Sequence, residues 1–268
     1  MPNHELDHEC DLFLFSSHSS YLVNRSLQKF AELGQRNING WGIGYYNEGE
    51  YRLIKSKRPA SDNGRISDEF ITASKLIESH VVIGHLRLTS AGDNRVENNH
   101  PFYLRFLNYD WLFVHNGTAR NQNLVPYDQQ LILNSTNDSP RVFEFIRTKI
   151  LDYLGEKPSR SLIEAVRYAF SSLLEADPNG KFNIILTNGH LSFALIHWRS
   201  FYLYTNEKEG GNTIRLSTLK IGASHQTNDP PYEFKPLPNK LAKMLVFNGD
   251  SLIFNGDIPK IFYGDIPK

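Results

Sequence analysis

Apolar positions change period several times along the chain, and each change marks an element. Residues 11–15, Asp-Leu-Phe-Leu-Phe, follow Cys10 as an apolar run and predict a strand. Residues 20–33 carry apolar side chains at helical spacing and are closed by Gly34, which predicts a helix. Short strands are expected over 42–46 and 51–54, either side of the turn Asn47-Glu48-Gly49-Glu50. An amphipathic helix is expected over 68–79 with Ser67 as its N-cap, followed by a Val- and Ile-rich buried strand over 80–86. Residues 89–100 are polar and read as loop. Residues 111–115 predict a strand that stops at Asn116-Gly117.

Two helices are expected next, over 140–154 and 162–175, with Ser161 and Glu164 forming a capping box for the second. Beyond Phe182 the chain reads mostly as strands. Residues 183–187 and 191–196 flank Asn188-Gly189, a strong hairpin signal. Further strands are expected near 219–221 and 244–247, with Asn248-Gly249 as another turn. The pentapeptide Gly-Asp-Ile-Pro-Lys occurs at 256–260 and 264–268; two copies make no repeat array and read as turn or tail. Strands, interleaved helices, a helix pair and a strand-rich end predict an α+β layered fold on central sheets.

Composition narrows the function classes. At 268 residues the chain can form one large domain with a substantial core or two small ones, and 40% apolar with 22% charged residues is ordinary for a globular protein. A formal net charge of zero, with no polybasic run, gives no field to draw nucleic acid or an anionic membrane. The first nine residues are polar and acidic and lack the apolar region of a secretory signal, so a cytoplasmic location is expected. The single cysteine, Cys10, excludes an intrachain disulfide and a thiolate metal cluster, and the scattered histidines lack ligand spacing. A lone intracellular cysteine is ordinarily a small buried hydrophobe and occasionally a nucleophile.

Five segments decide between these. Cys10 opens a strand; Gly40-Trp41-Gly42-Ile43-Gly44 follows a helix; His85-Leu86-Arg87 leads into Thr89-Ser90-Ala91-Gly92. Asn98-Asn99-His100-Pro101-Phe102 comes next, then Phe113-Val114-His115-Asn116-Gly117. In that order they resemble the class II glutamine amidotransferases, N-terminal-nucleophile hydrolases of the stand-alone type. The resemblance implies a four-layer αββα sandwich over 10–268, preceded by a leader over 1–9. It implies glutamine hydrolysis to glutamate and ammonia through a Cys10 thioester, with no cofactor or metal.

A cysteine at a chain terminus has its own α-amine, with a pKa near ~7.7–8, to accept the thiol proton. Asn116 and Gly117 match the pair that would hold the oxyanion through a side-chain amide and a backbone N–H. Arg87 would grip the substrate α-carboxylate bidentately, and Asp138, in Thr136-Asn137-Asp138-Ser139, would face the α-ammonium. Ser90, Ala91 and His100 fall in substrate-pocket stretches; Gly40, Trp41 and Gly42, with Arg36 just ahead, are expected to shape its wall. Family members mostly begin Met-Cys, whereas nine residues precede Cys10 here, so cleavage at Glu9-Cys10 is expected. The partners implied are glutamine or another γ-glutamyl compound and an ammonia-accepting synthase. Two other readings stand beside this one: hydrolysis of a larger γ-glutamyl amide, and a catalytically silent partner-binding domain.

Overall fold

The computed structural model describes residues 9–89, 95–124, 136–156, 159–206, 212–221, 231–238 and 241–258. In chain order the strands are β1 (Asp11–Leu22), β2 (Trp41–Asn47), β3 (Glu50–Ser56), β4 (Ser61–Asp62), β5 (Arg65–Ile66), β6 (Glu78–Leu86), β7 (Phe102–Phe106) and β8 (Tyr109–Thr118). After these come β9 (Lys181–Thr187), β10 (Leu191–Ile196), β11 (Phe201–Asn206), β12 (Thr213–Ser217), β13 (Tyr232–Phe234), β14 (Ala242–Asn248) and β15 (Ser251–Ile258). The helices are α1 (Asn24–Leu33), α2 (Asp68–Lys75), α3 (Ser139–Glu156) and α4 (Leu162–Ala176). One sheet runs β13-β11-β12-β1-β6-β2-β3 and the other β15-β14-β10-β9-β8-β7. Every pairing within them is antiparallel.

Side-chain alternation sorts each strand between two apolar layers. On β1, Leu12 and Leu14 point into the core between the sheets, where they meet Val81 and Ile83 of β6, Leu112 and Val114 of β8, and Ile185 of β9. Phe13 and Phe15 point the other way, against Leu27 and Phe30 of α1 and Phe70 of α2. Across the second sheet, Trp111, Phe113 and Ile184 pack against Val142, Phe143 and Ile146 of α3 and Ala169 and Phe170 of α4. The layer order is therefore αββα, the sandwich expected from the resemblance.

Most predicted elements are present, and the differences have local causes. The helix expected over 20–33 starts only at Asn24, because β1 continues through a bulge after Ser16 and pairs Tyr21 with Ser79 and Leu22 with Glu78. That pairing also stops α2 at Lys75, since Glu78 already belongs to β6. Asn116-Gly117 does not end its strand: the two residues pair with Asn183 and Phe182 inside the β8–β9 ladder. The strand expected near 219–221 is an irregular bend following β12, and β4, β5, β7, β11, β12, β13 and β15 have no counterpart among the predicted strands. Residues 256–258 of the first Gly-Asp-Ile-Pro-Lys copy lie in β15, paired to β14, while its last two residues and the second copy lie outside the described residues. No helix among the described residues is long and apolar enough to cross a membrane.

The capping box of α4 is complete: the Ser161 hydroxyl accepts from Glu164 N–H at 3.2 Å, and the Glu164 carboxylate accepts from Ser161 N–H at 3.1 Å. Ser161→Ala should therefore cost about 1 kcal/mol of stability, seen as a lower urea midpoint at unchanged m-value.

Candidate active site

At one end of the sandwich the inward-facing rows change from apolar to polar without changing period. Two positions before Leu12 stands Cys10, and two and four positions after Ile83 stand His85 and Arg87. Two positions after Val114 stands Asn116, and two before Ile185 stands Asn183. Cys10, His85, Arg87, His100, Asn116, Gly117 and Asp138 all line one cavity of about 250 Å³. That is below the ~300–1,000 Å³ of sites for drug-sized ligands and suits a small solute.

Cys10 is fixed on both sides. Its Sγ donates to the Leu88 carbonyl and accepts from Leu88 N–H, both at 3.3 Å. No imidazole or carboxylate hydrogen-bonds the sulfur among the described residues. Desolvation, with smaller contributions from neighbouring charges, pushes this thiol up to about 12, so with its nitrogen in the Glu9-Cys10 amide the group is a protonated, poor nucleophile. The Cys10 carbonyl accepts from Asn116 Nδ2 and, at 2.9 Å, from Arg199 Nη1. Arg199 Nη2 also pairs with the fully buried Asp11 at 3.2 Å, and Asp11 accepts from the Thr218 hydroxyl at 2.9 Å.

Arg199 is held in turn by Asn183. The Asn183 Oδ1 accepts from the backbone N–H groups of Trp198 at 2.8 Å and Arg199 at 3.0 Å, and its Nδ2 donates to Arg199 O at 2.7 Å. A fully buried amide thus folds the turn after β10 and aims a guanidinium at the main chain of Cys10. Neither Arg199 nor Asn183 stood out in the sequence. Their partners are distant in the chain, and Asn183 signals itself only as a polar residue on an inward-facing position.

Asn116 presents its amide from within the ladder, and its Oδ1 has no partner among the described residues. Gly117 has φ +145°, and a Cβ there would lie 1.9 Å from Lys181 O, so glycine is needed for β8 to approach β9. The neighbouring His115 is structural: its Nε2–H donates to Lys181 O at 3.1 Å and its Nδ1 faces the Ser139 hydroxyl at 3.0 Å.

Asn98, buried, accepts from Thr136 N–H at 2.9 Å and donates to Thr136 Oγ1 at 3.0 Å, while its carbonyl accepts from Asn137 Nδ2 at 2.9 Å. These bonds hold the stretch that carries Asp138 to the start of α3, where the Asp138 carboxylate accepts from Ala119 N–H. A carboxylate is favoured there by the helix dipole. Asn99 accepts from Arg87 Nη1 at 3.4 Å and donates to Ser56 O at 2.7 Å. His100 lies 4.2 Å from His85, ring centre to ring centre. Burial drives both imidazoles down, His85 to about 3 and His100 well below its ordinary value, so both are neutral near pH 7.

Gly40 and Gly42 act one layer behind the cavity. A Cβ on Gly40, where φ is +115°, would lie 2.5 Å from Asn99 Nδ2, and one on Gly42 would lie 1.9 Å from His100 O. Their bare backbone lets the Asn99-His100 segment lie directly on β2. Trp41 faces away, edge-on to Phe70 in the helix-side core. Arg36 is exposed and does not line the cavity. Ser90 and Ala91 lie outside the described residues.

The family described as class-II glutamine amidotransferases matches residues 9–209. An uncharacterized protein of Methanocaldococcus jannaschii is 29% identical over 190 residues, which cover 71% of this chain and 51% of that protein. The chain thus spans about half the length of that relative. A γ-glutamyl-hercynylcysteine sulfoxide hydrolase of Mycolicibacterium smegmatis is 26% identical over 157 residues, covering 58% of this chain and 60% of the hydrolase. The fold is shared with the glutamine phosphoribosylpyrophosphate amidotransferase of B. subtilis at a TM-score of 0.64 and 15% identity, covering 93% of this chain and 49% of that one. With three quarters of its length matched, from the residue before Cys10 to beyond Arg199, the chain belongs to the class II glutamine amidotransferases.

Proposed function

We propose that this chain is an N-terminal-cysteine amidohydrolase that splits the side-chain amide of glutamine into glutamate and ammonia. The observation that carries the reading is the convergence of Cys10, Arg87, Asn116, Gly117 and Asp138 on one small cavity. Removal of residues 1–9 frees the Cys10 α-amine, the base that the sulfur otherwise lacks. The amine takes the thiol proton and the sulfur attacks the amide carbon. Asn116 Nδ2–H and Gly117 N–H hold the resulting oxyanion. The α-ammonium then protonates the departing nitrogen, leaving a γ-glutamyl thioester that water hydrolyses. Arg87 and Asp138 bind the α-carboxylate and α-ammonium, so both ends of a free amino acid are recognised by charge. Ammonia released this way serves a synthase partner that accepts it.

Maturation can be read from reactivity. A full-length chain should be alkylated by iodoacetamide slowly at pH 8, its rate climbing with pH towards the thiol's value of about 12. A chain whose mass shows Cys10 at its N-terminus should react at pH 8 orders of magnitude faster. Equal rates for the two forms would remove the α-amine from the mechanism.

Oxyanion and substrate contacts separate kinetically. Asn116→Ala in the processed chain should lower kcat by about 10²–10³ with little change in KM. Arg87→Lys, which keeps the charge and loses the planar fork, should act mainly on KM for glutamine. The opposite pattern would exchange the two roles.

Arg199→Ala should lower kcat, because it unpins the nucleophile's carbonyl and leaves buried Asp11 without its guanidinium. It should also destabilise the fold by about 3 kcal/mol. A denaturant titration showing wild-type stability would mean that the guanidinium is dispensable to the strand.

A further inference from the structure

Glu9 is built into the cavity wall beside Cys10. Its carboxylate lies 3.5 Å from Lys181 Nζ, with the two side chains only 19% and 23% exposed. The second carboxylate oxygen is buried and makes no hydrogen bond among the described residues. Lys181 Nζ stands 3.6 Å from the centre of the Trp198 ring, and Trp198 sits on the turn that Asn183 clamps, so the ammonium has a defined seat. The Glu9 carbonyl accepts from Asn37 Nδ2 at 3.2 Å. In the full-length chain this wall holds an acyl unit that ends in a carboxylate.

Proton transfer dictates what occupies the wall once Glu9 has gone. The Cys10 α-ammonium must reach the departing nitrogen, so the leaving group lies against the amine, on the side where Glu9 was attached. From the Cys10 nitrogen the Glu9 carboxylate is roughly 6 Å away through the Glu9 carbonyl, Cα and side chain, by standard bond lengths. A departing α-amino acid, hydrogen-bonded to the amine through its own nitrogen, carries its carboxylate to roughly the same distance. Glutamine itself, whose leaving group is ammonia, places nothing there.

We propose that Lys181, seated on Trp198, forms a leaving-group subsite for the α-carboxylate of an amino acid borne on the γ-glutamyl nitrogen, making γ-glutamyl amino acids and peptides the favoured substrate class. This rests on the Cys10 hydrolase reading and deepens it. Water is the only co-reactant: the γ-glutamyl C–N bond breaks as the thioester forms, the amino acid leaves with the proton carried by the α-ammonium, and water releases glutamate.

Three substrates isolate the subsite in the processed enzyme: glutamine, γ-glutamylglycine, and γ-glutamyl methylamide, which has the same secondary amide without the carboxylate. Wild type should favour γ-glutamylglycine over the methylamide by about tenfold or more in kcat/KM, the size expected of a hydrogen bond to a charged group. Lys181→Met, which keeps an unbranched stem on Trp198, should collapse that preference while glutamine turnover stays within about twofold. Lys181→Arg should restore it. A wild type without the preference, or a Lys181→Met enzyme that retains it, overturns the subsite while leaving glutamine hydrolysis standing. Failure of the processed wild type to hydrolyse any of the three overturns the hydrolase reading and the subsite together.

Discussion

The organisation of this molecule follows from the need to cover both faces of two antiparallel sheets. A strand with solvent on one face alternates apolar and polar residues. Here β1 has an apolar layer on each side, so Leu12 and Leu14 serve the inter-sheet core while Phe13 and Phe15 serve the helices. Such a strand has no position to spare for a polar group until the core ends. At that end the same inward-facing period delivers Cys10, His85, Arg87 and Asn116 into one space, with Asn183 behind them holding the turn of Arg199. The site is the polar termination of the inter-sheet layer, and its precision is inherited from the rigid ladders behind it.

Buried amides do most of the fastening. Asn98 secures the stretch that carries Asp138, Asn99 secures Arg87, Asn183 secures the turn of Arg199, and Asn37 bridges Leu86 O and Glu9 O. An asparagine side chain offers donors and an acceptor on a short, stiff stem, so it can satisfy backbone groups where the chain leaves a ladder. It also adds no net charge beside a thiol and a guanidinium whose electrostatics matter. The paired neutral imidazoles of His85 and His100 obey the same rule.

Sequence reading succeeded where the determinants are local. The capping box at Ser161, the hairpin at Asn188-Gly189 and the buried strand ahead of Arg87 are set by neighbours within a few residues. It went astray where a distant partner decides. Tyr21 and Leu22 look helical in isolation and become strand because Glu78 and Ser79 lie opposite them. Asn116-Gly117 has the chemistry of a turn, yet β9 draws the pair into a ladder. Cys10, Arg87, Asn116, Gly117 and Asp138 were legible as an ordered set, and the fold gathers them around one cavity. Arg199, Lys181 and Asn37 were not, since an isolated Arg, Lys or Asn carries no local signature and gains meaning only against Cys10 and Glu9 in space.

The order of strands in the first sheet also bears on how this protein can be trimmed. The family match closes at residue 209, inviting a minimal version that stops there. Yet β12, at Thr213–Ser217, is the strand that flanks β1 opposite β6, and Thr218 supplies a hydroxyl to Asp11. Farther on, β14 flanks β10 and is itself covered by β15. A chain cut at 209 would expose Leu12 to Ser17 along a raw edge and bare one side of β10, a template for intermolecular strand pairing. A portion that keeps β1 flanked on both sides and β10 covered therefore extends at least through Ile258, about fifty residues past the end of the family match.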